Sequence, residues 1–365
     1  MELTERVLAA GLDAGFDRVG VCSTDPFPEV RTALVERKEA GLSGGLAFTF
    51  SRPDTATDPR VTFPWAERIV VAGRAYVPDA GSPGGADGRT GRIARFAETD
   101  HYVFLREGLA AMVHFLERQG FRAEAISDDG RLVDRAVAER AGVGWWGKNT
   151  MLIAPDVGPW MLLGSVLTDA PLAVSEPMKR DCGTCDACLP ACPTGALVAP
   201  GVLDANRCLA ALAQLPGSIP SAFRSAMGDR IYGCDDCLDA CPPGRRRLEA
   251  GSERRGRVDL VEILEAPPQV VATRFSRFFI PALDGRYVQR NALVALGNAG
   301  DESHIPLLAA FLAGSDPLLA THAAWALGEI GGSEAASALD KAEADDPQLS
   351  AEIASAMAAL EPSGK

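Results

Sequence analysis

Residues 181–193 read Asp-Cys-Gly-Thr-Cys-Asp-Ala-Cys-Leu-Pro-Ala-Cys-Pro. The spacing Cys182-x2-Cys185-x2-Cys188-x3-Cys192-Pro193 is that of a two-cluster iron–sulfur run, in which three thiolates hold one [4Fe–4S] cluster and the fourth, turned away by the proline, holds another. A second run, Cys234-x2-Cys237-x3-Cys241-Pro242, carries Ile231 where its first cysteine belongs, and Cys208 is the spare cysteine nearby. The crossover rule then assigns Cys182, Cys185, Cys188 and Cys241 to one cluster, and Cys192, Cys208, Cys234 and Cys237 to the other. Four-cysteine zinc is the competing reading, but paired Cys-Pro motifs and a triple CxxCxxC fit it poorly.

Outward from this run the composition changes on both sides. Residues 176–245 are Cys, Pro and short helical pieces that cannot build a large core, so a ferredoxin-type domain organised by its metal centres is expected there. Upstream, Leu3, Val7, Leu8 and Leu12 recur at helical spacing. Strand patterns follow at 18–22, 68–77, 122–126 and 160–167, with helical patterns at 100–119 and 131–142. Residues 1–175 therefore read as one α/β sandwich domain, in which 79–91, rich in Gly, Pro, Asp and Ser, is a surface loop able to gate a pocket.

Downstream, past an Arg-rich linker at 245–257, ALGNAG at 295–300 recurs as ALGEIGG at 326–332, and Asp316-Pro317 recurs as Asp346-Pro347. A period near thirty residues indicates stacked helix pairs, so 246–365 reads as a HEAT-like repeat domain. With two clear units and a partial third near 351–360, it needs a neighbouring layer over its open apolar face.

The fold class expected is thus α+β: an α/β sandwich, a two-cluster domain and C-terminal helical repeats. No stretch approaches the roughly 20 apolar residues that span a bilayer, and acidic residues stand where a signal peptide needs a basic start, so a cytoplasmic protein with no membrane partner is expected. Nine cysteines in a reducing compartment point to ligation rather than disulfides. Cys22, alone on an apolar strand, reads as a small buried hydrophobe. A net charge of −13 excludes a generally basic surface, leaving any nucleic acid to local arginine patches. Two clusters move single electrons without selective organic chemistry of their own, so the first domain should hold the acceptor. No GxGxxG or Walker A loop occurs in the strand-to-helix context that a dinucleotide or nucleotide requires.

The stretch SDDGRLVDRAVAERAGVGWWGKNTMLI at 127–153, RIYGCDDCLDACPP at 230–243 and RNALVALGN at 290–298 together resemble the epoxyqueuosine reductases over nearly the whole chain. The resemblance implies a nitroreductase-like sandwich holding cobalamin base-off, as cob(II)alamin, beside two [4Fe–4S] clusters. It also implies reduction of epoxyqueuosine at the wobble position of tRNA to queuosine, the last step of that nucleoside's synthesis. An external one-electron donor such as a flavodoxin or ferredoxin would feed the clusters of a monomeric enzyme.

Asp128 matches the family's proposed proton donor, and removal of an epoxide oxygen as water consumes two electrons and two protons, which a carboxyl of raised pKa helps to supply. Its plainer reading is a helix N-cap. Arg52, Lys148 and Asn149 match residues the family places near the corrin, Asp128 facing the same cofactor; Arg52 also reads as a surface cation and Trp145-Trp146 as core. This sequence departs from the family at His101-Tyr102-Val103, where Asp-Tyr-His is usual, and at Arg131, where proline is usual. Cations for tRNA phosphate are expected at Arg245, Arg246 and Arg247, at Arg254, Arg255 and Arg257, and at Arg274, Arg277, Arg286 and Arg290. The rival readings are a corrinoid reductive dehalogenase, whose exported members carry a leader not found here, and a non-catalytic electron carrier with a helical docking arm.

Overall fold

The computed structural model describes residues 2–77, 88–251 and 256–360. Two compact units are present, each discontinuous in sequence: Met1–Ala80 with Thr99–Asn206 and Asp235–Glu253, and Gly81–Glu98 with Arg207–Cys234 and Arg254–Lys365. The cysteine-rich segment is accordingly shared out, residues 207–234 joining the unit that carries the repeats. This partition differs from three consecutive domains.

In the first unit a four-stranded antiparallel sheet runs in the order Arg18–Ser23, Arg68–Ala75, Met161–Thr168, Ala123–Ile126. Ile69, Val70, Val71 and Ala72 are all fully buried, so the central strand is covered on both faces, which is why it reads as an unbroken apolar run. Val70, Ala72 and Val166 pack against Val7, Leu105, Leu109, Met112 and Leu116 of the helices Leu3–Asp13 and His101–Arg118. The helix Asp134–Arg140 also packs on this sheet, touching three of its four strands, Arg18–Ser23, Arg68–Ala75 and Met161–Thr168. A Cβ at Gly20 would fall 2.0 Å from the backbone oxygen of Ala141, so glycine there lets the end of that helix approach the strand. Cys22 lies 1% exposed in this core, and burial pushes its thiol up to about 12, as an inert side chain requires. Among the described residues no helix is long and apolar enough to cross a membrane.

In the second unit the helices Arg286–Ala299, Pro317–Ile330 and Pro347–Leu360 pack in succession, with Ile305–Leu312 and Gly332–Asp340 as shorter partners. The repeated Ala-Leu-Gly has a steric cause. A Cβ at Gly297 would lie 2.8 Å from Ala326 Cα, and one at Gly328 would lie 2.8 Å from Ala356 Cβ, so each glycine marks where consecutive helices cross closely. The repeated Asp-Pro is a helix start: Asp316 accepts from Leu319 N at 3.1 Å, Asp346 accepts from Leu349 N at 2.9 Å, and each proline opens its helix.

The apolar face of the first repeat helix is closed within the same unit by Leu209, Leu212, Ala213, Ile231 and Ile93. Ile231 belongs to a three-stranded sheet in which Arg230–Tyr232 runs parallel to Thr90–Ile93, and Thr90–Ile93 antiparallel to Arg257–Asp259. Of the loop expected at 79–91, residues 79–87 lie outside the described residues and its last two positions already belong to the strand Thr90–Ile93. The stretch expected as a linker at 245–257 is in part the helix Pro242–Gly251. Arg254 and Arg255 lie outside the described residues.

Candidate active site and cluster ligands

The loop from the strand Ala123–Ile126 to the helix Asp134–Arg140 places Asp128 at φ +50°, a left-handed backbone that non-glycine residues rarely adopt and that surrounding contacts must hold. The residue is exposed on one side, while protein crowds its carboxyl on the other. Burial pushes its pKa up, and the charge of Arg135 together with a hydrogen bond from the Tyr102 hydroxyl pulls the other way, the balance remaining above the usual carboxylate value. The helix begins at Asp134 with Val133 as its uncapped N-cap position, so Asp128 is not a helix cap. Its neighbour Asp129 is committed elsewhere, accepting from Arg131 N at 2.9 Å and pairing with the Arg131 guanidinium at 2.6 Å.

Around Asp128 stand further groups for which no role was expected. The Asp134 carboxyl is enclosed, its Oδ1 has no hydrogen-bond partner, and burial followed by the charge of Asp128 pushes its pKa up to about 7. The Arg135 guanidinium is desolvated, which lowers its pKa, and it senses Asp134, Tyr102, Tyr76 and Asp128. Arg135 is nonetheless exposed over part of its side chain. His101 opens the helix His101–Arg118 with its ring 6.0 Å from that of Tyr76, and burial, then Arg74, lowers its pKa. Tyr76 in turn meets Trp160 edge-on at 6.1 Å. Asp134 and Arg135 lie inside the stretch that carried the family resemblance, but an Asp-Arg pair opening a helix is ordinarily a solvated turn. Only the sheet packed beneath them shows otherwise.

Arg52 is exposed at the start of the helix Pro53–Thr57, and its charge helps hold Asp129 ionised. Lys148 Nζ donates to Gly183 O at 2.8 Å, inside the first CxxC loop, and its charge reaches Cys188. Asn149 is 3% exposed; its Oδ1 accepts from Met151 N at 3.1 Å, while its Nδ2 is buried with no partner.

Cys182, Cys185, Cys188 and Cys241 come together in the first unit. Burial raises the Cys241 thiol to about 11 and also raises Cys188, with the facing thiols adding to both. Cys192 and Cys237 belong to the same unit, Cys208 and Cys234 to the other. Burial opposes ionisation of Cys192, but backbone N–H groups, including that of Ala196 at 3.1 Å from Sγ, and the Thr194 hydroxyl outweigh it and lower its pKa. A thiolate so supported is a ready metal ligand. Cys208 precedes the helix Leu209–Gln214, and Ile231, 0% exposed, is a core residue of its sheet, which explains the lost ligand in the second run.

The arginine expectations divide. Arg245 and Arg246 are exposed and Arg247 is half-buried on the helix Pro242–Gly251. Arg286 is accessible, but Asp284 and Asp316 both pair with it at 2.6 Å, and those bonds raise its pKa further. Arg290 must be corrected. It is 1% exposed and donates to Leu212 O, Ala213 O and Leu215 O at 2.8–3.3 Å, to Gly217 O and to Asn291 Oδ1, so it is a structural cation closed to phosphate. Sequence cannot tell it from Arg286, since both stand in the first turns of the same helix Arg286–Ala299.

Residues 181–244 match the family described as 4Fe-4S double cluster binding domain, and residues 277–359 match HEAT repeats. A double-cluster segment joined to an α/β sandwich and followed by helical repeats defines a multidomain iron–sulfur oxidoreductase. Epoxyqueuosine reductase of Bacillus cereus is 33% identical, the match covering 93% of this chain and 92% of that one. The Bacillus subtilis reductase is 32% identical, covering 100% and 97%. A crystal structure of epoxyqueuosine reductase with a tRNA-Tyr epoxyqueuosine-modified stem loop is 31% identical with a TM-score of 0.89, covering 98% of each chain. A Bacillus subtilis epoxyqueuosine reductase structure with an aspartate-bearing catalytic loop swung out of the active site is 31% identical, again with a TM-score of 0.89, covering 98% and 99%. The chain belongs to the epoxyqueuosine reductase family, and the dehalogenase and non-catalytic carrier readings give way to it.

Proposed function

We propose that this chain reduces the epoxide of epoxyqueuosine in tRNA to the alkene of queuosine. The observation that carries the reading is full-length likeness to a reductase solved with its epoxyqueuosine-modified stem loop. The balance is epoxide plus two electrons plus two protons to alkene plus water. When bound, two [4Fe–4S] clusters and a cobalamin supply the electrons one at a time. Cys182, Cys185, Cys188 and Cys241 hold one cluster, and Cys192, Cys208, Cys234 and Cys237 the other. The facing thiols of the first set support that division.

Asp128 gives a proton to the departing oxygen. Its raised pKa suits an acid near neutrality, Tyr102 fixes its carboxyl, and Arg135 steadies the carboxylate that remains. A relative whose catalytic loop carries an aspartate and swings out of the active site fits an Asp128 held in strained backbone on a loop. Asn149, whose buried amide nitrogen lacks a partner, suits a bound corrin, with Arg52 and Lys148 as further contacts. Arg245, Arg246, Arg247 and Arg286 meet tRNA phosphates. The enzyme works as a cytoplasmic monomer supplied by a flavodoxin- or ferredoxin-like donor.

The test is anaerobic reconstitution with iron and sulfide, a cobalamin absorption titration, then nucleoside analysis of modified tRNA incubated with reductant. Conversion to queuosine is expected. Loaded clusters and bound corrin without conversion overturn the function, and loaded clusters without corrin binding overturn the cobalamin assignment.

A further inference from the structure

Trp145 is 6% exposed, and its indole Nε1 is enclosed with no hydrogen-bond partner. Buried indole N–H groups ordinarily find an acceptor, and one left without costs about 1–3 kcal/mol. The ring packs in one cluster with Ile153 and Cys241, with Cys182 and Met178 against it, so its nearest chemistry is the four-thiol group described above. The indole is held rigidly. Trp145 pairs with Ile153 across a short hairpin whose turn includes Thr150 at φ +65°. Glycines on either side let the hairpin close, since a Cβ at Gly144 would lie 2.5 Å from Ile153 O and one at Gly147 would lie 2.5 Å from Ile153 Cδ1.

We propose that Trp145 is a positioning residue for the redox function, its indole N–H donating to a sulfur of the cluster held by Cys182, Cys185, Cys188 and Cys241. The proposal rests on the double-cluster reading of residues 181–244. Sulfur at such a centre is an acceptor that gains negative charge on reduction, so a donor fixed against it favours the reduced form and raises the potential. Arg180, whose guanidinium lies over the indole at 5.4 Å, withdraws electron density from the ring and makes its N–H a stronger donor.

The experiment compares reconstituted wild-type chain with Trp145→Phe, which keeps an aromatic ring and loses the N–H. Iron content and the absorption of both clusters are measured first, then the reduced fraction of each cluster by EPR at fixed potentials. One hydrogen bond of typical strength gives about a fivefold fall in the reduced-to-oxidised ratio of one cluster and none in the other. Independently, tryptophan labelled with 15N at the indole nitrogen should give a 15N coupling in pulsed EPR of the reduced wild-type cluster that is absent from the variant. Trp145→His, which restores a ring N–H, should recover part of the shift. Intact clusters with an unchanged ratio and no 15N coupling overturn the proposal alone. A wild-type chain that takes up no iron overturns the cluster reading and the proposal with it.

Discussion

Asp128 and Asp134 are two carboxyls on one loop and helix start, set apart by surroundings. Asp128 keeps one side open to solvent and takes the Tyr102 hydrogen bond, whereas Asp134 is enclosed with an unpaired oxygen. Asp128→Asn should lower turnover by about 100-fold or more, the usual worth of a positioned acid, with tRNA affinity unchanged; single-turnover nucleoside analysis beside a binding titration checks both. Asp134 makes a separate prediction. Its proton leaves near 3.8 when the chain is unfolded and near 7 when folded, so between those values the folded chain holds more protons. That contribution to stability is complete below about 4 and is lost as pH rises through 7. Thermal midpoints of wild type and Asp134→Asn at fixed ionic strength should therefore shift against the wild type between pH 5 and pH 8. A constant difference would contradict the assignment. Neither shift is visible in the residues 127–134 themselves, because burial is decided by the sheet on which the helix Asp134–Arg140 sits.

At the scale of elements, the repeat helices turn a propensity rule around. In an exposed helix Gly→Ala gains about 1 kcal/mol. At Gly297 the added methyl would meet Ala326 Cα at 2.8 Å, so Gly297→Ala should instead lose about 1–3 kcal/mol by urea unfolding, from overpacking. Asp316→Ala removes an N-cap and should cost about 1 kcal/mol, while also freeing Arg286 from one of its two carboxylates. The strands at 18–22 and 68–77 and the helix at 100–119 were legible from apolar periodicity and lie within two residues of the observed bounds. The helix expected at 131–142 is shorter, because Asp129 engages Arg131 and holds the preceding turn outside it.

For the whole molecule, a net charge of −13 means that RNA affinity rests on few cations. Replacing Arg245 and Arg246 together by Glu should weaken tRNA binding and flatten its salt dependence, measured as affinity against salt concentration. Arg290→Ala should act differently. It strips the partner from several buried carbonyls and should cost about 3 kcal/mol in stability. Its tRNA affinity per folded molecule should not change.

The cysteine spacing by itself identified the double-cluster segment, because ligation geometry constrains residues close along the chain. Helical period and Asp-Pro and Ala-Leu-Gly recurrence likewise exposed the repeats, since capping and helix crossing are local requirements written once per unit. Which polar groups are enclosed, by contrast, is set by packing between elements distant along the chain. Arg290 and Arg286 stand four residues apart on one helix, yet one is sealed among carbonyls and the other faces solvent. Trp145, Asp134 and Arg135 likewise gained their character from layers far away in sequence, because desolvation depends on everything packed around a group and not on its neighbours along the chain.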